Sequence, residues 1–321
     1  MKFSVTIPAY KVDYLAEALK SVLQQSYDDF ELIIVDDCSP NDIKSVVNQF
    51  SDSRIQYYRN TKNCGSKDVV DNWNICLSYC KGDYVLCMGD DDVLLPNCLQ
   101  DFSDLINEYP GLNVYHAKTQ LIDEDSNIVF LQEPRPQRES AYSMLYNLWM
   151  YKRFQFIGDF LFSSRWLREQ GGYIKFPYAY SSDWVTAFNA ALDKGIANGQ
   201  SFMFQYRISG STISASGSKD GKIYASNKVR AWYENVLKKE PKDKEDVIYW
   251  TLINKMLKKH FYETQCNMMA SDLMSYRIWF VWRFFFWLRR LKEFNIPKSF
   301  YYKNILKHLP YIILKIPFSE R

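Results

Sequence analysis

The chain is 321 residues long and 47% hydrophobic, which allows one large or two modest domains around a packed core. The formal net charge is only +3, but residues 255–321 hold 13 Lys/Arg against 4 Asp/Glu, so a basic tail follows a mildly acidic body. No nucleic-acid-binding module accompanies that tail, which argues against a nucleic-acid partner and for a membrane surface.

The seven cysteines are odd in number, scattered and without a C-x-x-C pair, which reads as buried free thiols and suits a reducing compartment. His116, His260 and His308 form no zinc pattern. Met1-Lys2-Phe3-Ser4 runs straight into a strand, so no signal peptide is expected. No charge-free apolar run reaches about 18 residues, so no spanning helix is expected either.

Residues 3–7 read as a strand. Leu15, Ala18, Leu19, Val22 and Leu23 then recur at helical spacing behind Asp13, which stands where a cap belongs. The continuous run 31–35 predicts a strand buried on both faces. A helix over 43–50, a strand at 54–58, a helix over 69–80, a strand at 84–88 and a helix from Pro96-Asn97 continue the alternation. Such alternation predicts a parallel sheet covered by helices, whose ligands bind beyond the carboxyl ends of the strands. Asp36-Asp37 and Asp90-Asp91-Asp92 both fall at such ends.

Beyond residue 113 the signals are mixed: short strands including 201–206, and helices near 142–150 and 183–192. The Ser/Gly-rich stretch 209–221 predicts a mobile loop or boundary, dividing the chain into 1–218 and 219–321. After it come long helical patterns around a charged turn at 238–246.

Three consecutive aspartates after an apolar strand and a glycine have a physical use. Hard oxygen ligands hold Mg²⁺ or Mn²⁺, and such ions keep positions open for substrate phosphates. Like charges this close repel unless a cation or donors offset them. A solvated acidic turn is the plainer alternative. No Gly-x-Gly-x-x-Gly or P-loop is present, which argues against dehydrogenases and kinases, and the Gly-rich, Lys-containing start of a sugar nucleotidyltransferase is also missing.

Asn63-Cys64-Gly65, Asn72-Trp73-Asn74 and Lys81-Gly82-Asp83-Tyr84 lead in order into Asp90-Asp91-Asp92. With Val5-Thr6-Ile7-Pro8-Ala9-Tyr10 and Leu32-Ile33-Ile34-Val35-Asp36-Asp37-Cys38-Ser39, this series resembles the family 2 glycosyltransferases over residues 3–210. The resemblance implies an α/β fold of GT-A (Rossmann-like) type, with a mostly parallel central sheet flanked by helices; a C-terminal helical region would follow. It implies an inverting, nucleotide-sugar-dependent transferase. Asp37 would accept from the uracil N3–H; thymine offers the same edge, so UDP and dTDP both remain. Pro8, Ala9 and Tyr10 would wall the base, with Lys11 standing where the family usually has Asn.

Within the acidic cluster the resemblance aligns Asp90 with the carboxylate facing the ribose and Asp91 with the ligand of Mn²⁺ or Mg²⁺. Asp92 is a further ligand, a support or a helix cap. Asp183, in Tyr180-Ser181-Ser182-Asp183-Trp184, matches the general base; a helix cap is its alternative role. Gly158-Asp159, Gly171-Gly172 and Tyr206-Arg207 stand around it in the family's order. Trp184 would face a sugar ring and Asp159 the acceptor. Arg207 would contact phosphate or form a surface ion pair. The usual Arg-x-His has Ser209 in place of His.

The stretch 276–290 is too aromatic for an ordinary exposed helix. It reads as a helix lying in a membrane interface, flanked by Arg, or as a buried interdomain helix; the apolar stretch 309–318 would add a second contact. The expected partners are a nucleotide-sugar donor, a lipid-linked glycan acceptor in surface-polysaccharide synthesis, and an anionic membrane at its cytoplasmic face. A non-catalytic, membrane-docked nucleotide-binding protein of the same fold is the alternative, kept open by Ser209 and opposed by Asp91 and Asp183.

Overall fold

The structure is a computed structural model that describes residues 1–209, 218–275 and 279–314, the stretch 309–314 as backbone. Residues 210–217 of the expected loop, the start of the aromatic stretch at 276–278 and the 309–318 side chains lie outside the described residues. The chain divides into two compact units, Met1–Ser216 and Gly217–Arg321.

The first unit is built on a ten-stranded sheet. Its strands are β1 (Phe3–Ala9), β2 (Phe30–Asp36), β3 (Ile55–Arg59), β4 (Tyr84–Cys87), β5 (Val93–Leu94), β6 (Val114–Ile122), β7 (Ile128–Leu131), β8 (Arg138–Glu139), β9 (Phe160–Ser163) and β10 (Ile196–Arg207). Along the order β3-β2-β1-β4-β9-β6-β10-β5, only β9 and β5 run against the rest, while β7 and β8 pair at the side. The sheet is therefore mostly parallel, as the alternating pattern predicts. β2 is buried along its whole length, as expected of a strand covered on both faces.

The flanking helices are α1 (Leu15–Leu23), α2 (Ile43–Val47), α3 (Val69–Tyr79), α4 (Cys98–Glu108), α5 (Ala141–Trp149), α6 (Ser164–Glu169) and α7 (Ser182–Ala191). Leu15, Ala18, Leu19 and Val22 of α1 are buried against the sheet, joining Phe3, Val5, Ile7, Leu32 and Ile34 in one core. The expected cap at Asp13 is not formed: Tyr14 holds the N-cap position without a side-chain hydrogen bond. Instead, the Tyr14 ring lies 4.1 Å beneath the Arg207 guanidinium, and Arg207 pairs with Glu17 in the first turn. A tertiary contact thus takes the place of a local one. All seven cysteines are free thiols.

The second unit comprises α8 (Lys219–Val236), α9 (Lys244–Ser275), α10 (Phe280–Arg290) and α11 (Lys298–Leu314). Cys266, Met269, Leu273, Trp287, Leu291, Phe294 and Tyr301 form its core. Asp272 anchors α10 by accepting from Trp287 Nε1 (2.8 Å) and Arg283 Nε (2.8 Å). Arg283 is therefore held by a carboxylate of its own unit, not left to seek a lipid headgroup. The outer face of α10 is bare: Trp279, Val281 and Trp282 are each at least 60% exposed. They line an apolar groove of about 620 Å³ with Phe285, Arg289 and Arg290. Among the described residues, no helix is long and apolar enough to cross a membrane.

Candidate active site

Parallel pairing of β1 with both β2 and β4 brings three strand ends to one rim, with Ala9 opposite Asp36 and Thr6 opposite Cys87. Of the three residues expected to wall a base, Ala9 is wholly buried, Pro8 half-buried and Tyr10 exposed. The Ala9 carbonyl accepts from the Asp37 N–H at 3.0 Å. Asp36 is buried beneath the rim, where Tyr57, Arg59 and the Ser39 N–H donate to it. Asp37 accepts from Asn60 Nδ2 (2.8 Å) and the Cys64 N–H (3.0 Å), and Asn60 donates onward to Asn72. Asn60 and Asn63 complete this end of the site. Burial and the adjoining Asp37 push the Cys64 thiol up to about 12, which keeps it neutral.

The acidic cluster separates into three environments. Asp90 Oδ2 accepts from the N–H groups of Tyr10 and Lys11, both at 2.7 Å, tying the end of β4 to the end of β1. Asp91 Oδ2 lies 3.0 Å from Lys11 Nζ. Asp92 is buried: its two oxygens accept from the Gly89 and Arg207 N–H groups, each at 3.1 Å. Burial, reinforced by the neighbouring Asp91 charge, pushes Asp92 well above the usual carboxylate range. Asp92 is thus a support between the β4–β5 turn and β10; it caps no helix, and both of its oxygens are occupied. A Cβ at Gly89 would lie 2.8 Å from Asp92 Oδ2 and 2.9 Å from Asp91 Oδ1, so a larger residue there would have to push both carboxylates aside.

The fit of Mn²⁺ or Mg²⁺ follows from these contacts. Asp90 Oδ1 and both oxygens of Asp91 are free of backbone donors, and Asp91 Oδ2 carries the Lys11 ammonium. Among the described residues, no group of three His, Cys, Asp or Glu is placed to hold a metal. Ser209 supplies a hydroxyl where an imidazole was expected. A divalent cation at Asp91 would therefore have to compete with the Lys11 ammonium.

Arg207 is wholly buried, which corrects both expectations for it, a phosphate contact and a surface pair. Its guanidinium donates to the Asp91 carbonyl (2.8 Å), the Asp123 carbonyl (3.0 Å), Ser126 Oγ (2.9 Å) and Glu17 (2.7 Å). It fixes the backbone of the acidic turn from behind.

Asp183 stands in the first turn of α7, where the helix dipole favours a carboxylate. The N-cap is Ser181, and the Asp183 oxygen accepts from the next N–H, of Trp184, at 2.9 Å. Desolvation outweighs that bond and pushes its pKa up to about 7, with Asp159 adding like-charge repulsion. Just before it, Tyr178, Ala179 and Ser181 all adopt positive φ, of 62°, 50° and 57°. Such conformations cost a non-glycine residue on the order of 1–3 kcal/mol each, and they concentrate at functional sites. They are held by the Phe176 N–H donating to Ser182 Oγ and the Tyr178 N–H donating to the Lys67 carbonyl.

Asp159, expected at the acceptor, has no exposed surface. It accepts from Thr119 Oγ1, the Phe156 N–H (2.9 Å) and Gln132 Nε2 (3.5 Å), with His116 Nε2 at 3.6 Å. Burial pushes it up to about 7 and His116 well below its usual value. When ionised, the Asp159 charge raises the pKa of Asp183 and, more weakly than burial and Asp91, that of Asp92. Trp184 is half-buried, its Nε1 donating to the Gln155 carbonyl at 2.9 Å.

An α/β sheet with carboxylates at the ends of β2 and β4, and a further one opening a later helix, defines the GT-A class of fold. A model of glycosyl transferase family 2 matches residues 4–169, and the chain belongs to that family. An uncharacterized glycosyltransferase of Haemophilus influenzae is 32% identical over 145 residues, 44% of this chain and 47% of that protein. The GalNAc(5)-diNAcBac-PP-undecaprenol beta-1,3-glucosyltransferase of Campylobacter jejuni is 36% identical over 110 residues, 33% of this chain and 35% of that one. S. aureus TarS 1–349, solved in complex with UDP-GlcNAc, shares the fold with a TM-score of 0.63 at 16% identity. That likeness covers 85% of this chain and 81% of TarS 1–349. The chain spans less than half the length of the curated relatives it matches.

Proposed function

We propose that the chain is an inverting glycosyltransferase that moves a sugar from a UDP- or dTDP-sugar to a hydroxyl of a lipid-linked glycan in surface-polysaccharide synthesis. The observation that carries this reading is Asp183: a carboxylate tuned to about 7, held behind three strained residues, in the unit whose rim carries Asp37 and the acidic cluster. Asp37 receives the N3–H of the pyrimidine, with Tyr10 exposed beside it, and Asp90 turns its second oxygen to the ribose. Asp183 takes the acceptor's hydroxyl proton as that oxygen attacks the anomeric carbon. The bond from that carbon to the diphosphate breaks on the opposite face, and the nucleotide leaves with the electron pair. Alignment of donor and acceptor supplies much of the rate. TarS, with its UDP-GlcNAc, supports the choice of donor class, and the Campylobacter relative, named for an undecaprenol-linked acceptor, supports a lipid-linked one.

Nucleoside diphosphate release from a panel of UDP- and dTDP-sugars tests the reading. A protein that binds UDP or dTDP tightly yet releases none, with lipid-linked glycan present, would instead be the non-catalytic nucleotide-binding partner.

The bare face of α10 is proposed to rest on an anionic membrane surface. Aromatic side chains would enter the headgroup boundary while Arg289 pairs with lipid charge. Because the inner face of α10 is core, the test leaves it intact. Trp282→Ser with Phe285→Ser should reduce cosedimentation with anionic vesicles by about tenfold or more, with UDP affinity unchanged. Wild-type protein that ignores such vesicles would remove the membrane from the account.

A further inference from the structure

Lys11 is held more firmly than a rim lysine needs to be. Its own N–H and that of Tyr10 both donate to Asp90 Oδ2 at 2.7 Å. The intervening Tyr10 carbonyl accepts from Ser39 Oγ at 2.5 Å and Asn41 Nδ2 at 3.2 Å. The backbone is thus clamped from the β2 side and the β4 side together. From this fixed stem the ammonium reaches Asp91 Oδ2 at 3.0 Å, with Lys11 still 23% and Asp91 13% exposed. An ammonium has three donors. Lys11 Nζ commits one to Asp91, its single hydrogen bond among the described residues, which leaves two for a ligand.

We propose that Lys11 serves as the built-in cation of the donor site: its ammonium, steadied by Asp91, binds the donor's diphosphate where a divalent ion was expected. This deepens the nucleotide-sugar reading and rests on it. Three observations converge. Asp91 is the one cluster carboxylate with no backbone donor, and Lys11 occupies its Oδ2. Both oxygens of Asp92 and one of Asp90 are engaged by backbone N–H groups, which leaves the cluster few open donors for an ion. Residue 209 is serine, so the imidazole that would complete a metal site is replaced by a weaker ligand. Lysine is a compact point charge that binds phosphate well, and a partly desolvated rim strengthens the attraction. Ammonium and metal ion must also compete for Asp91 Oδ2, so the pair lowers affinity for a divalent ion in the absence of nucleotide.

Calorimetric titration of UDP and dTDP into the full chain, in EDTA and in Mn²⁺, is the test. Wild-type affinity should change by less than about threefold between the two conditions. Lys11→Met should bind at least about tenfold more weakly in EDTA, the equivalent of ~1.4 kcal/mol. It should recover in Mn²⁺, because the vacated Asp91 oxygen then accepts the ion. Lys11→Arg, which keeps the charge, should hold most of the affinity in EDTA. Free Mn²⁺ followed by electron paramagnetic resonance should show tighter ion binding by Lys11→Met than by wild type without nucleotide. Wild-type binding lost in EDTA, or Lys11→Met indistinguishable from wild type, would overturn the proposal while leaving the nucleotide site standing. Wild-type protein that binds neither nucleotide in either condition would bring down the nucleotide-sugar reading itself.

Discussion

Asp183→Asn is expected to lower turnover by about 10²–10⁴-fold, the usual contribution of a positioned general base. UDP affinity should stay within about twofold, because the base serves the acceptor side. The amide preserves the shape of the side chain, and its carbonyl oxygen can still accept from the Trp184 N–H, so the first turn of α7 remains capped. What disappears is the proton acceptor. The wild-type profile of kcat/KM should rise through pH ~7, because Asp183 works as a base only when ionised and its pKa is pushed up to about 7. The sign for stability is opposite. Burial raises the folded pKa above the unfolded value of about 3.9, so the native state holds the extra proton between these limits and loses stability as pH climbs through them. Asp183→Asn should flatten that decline. Near-normal turnover in the folded variant would return Asp183 to a capping role.

Arg207→Ala should be the most destabilising single change near the site. The guanidinium is fully buried, bonded to two carbonyls, a hydroxyl and Glu17, and stacked on Tyr14. Removing one member of such a network costs about 3–5 kcal/mol, because the partners left behind are desolvated and unpaired. Chemical denaturation should show the midpoint falling with an unchanged slope. A direct phosphate contact would behave differently, losing donor affinity at nearly constant stability. The two outcomes separate a positioning residue from a binding one.

The sheet core and the rim carboxylates were legible because both are local. β2 announces itself as an unbroken apolar run, and Asp37 and the Asp90–Asp92 cluster follow strand ends directly. The reversed strand β9 between β4 and β6 was not legible, because strand neighbours far apart in sequence leave no trace in periodicity. β10 begins at Ile196, ahead of the expected 201, because Asn198-Gly199 imitates a turn. There the strand is irregular: its register shifts after Asn198, whose Nδ2 donates to the Pro136 carbonyl at 2.8 Å. The charges at the site were visible as residue types but not as pairs. Lys11 stands in the sequence as a departure from the family and Arg207 as a phosphate contact or surface ion pair; Asn60 carries no signal. Each acquires its meaning from a partner at least 20 positions away, Asp91, Glu17 and Asp37 respectively.

The most direct test of the central claim is the configuration of the first sugar released. With enzyme at high concentration, an α-linked UDP- or dTDP-sugar and water as acceptor, proton NMR reads the nascent anomer before it equilibrates. Inversion requires β-sugar first, at a rate that collapses in Asp183→Asn. Release of α-sugar first, or a rate indifferent to Asp183, would contradict single displacement assisted by this carboxylate.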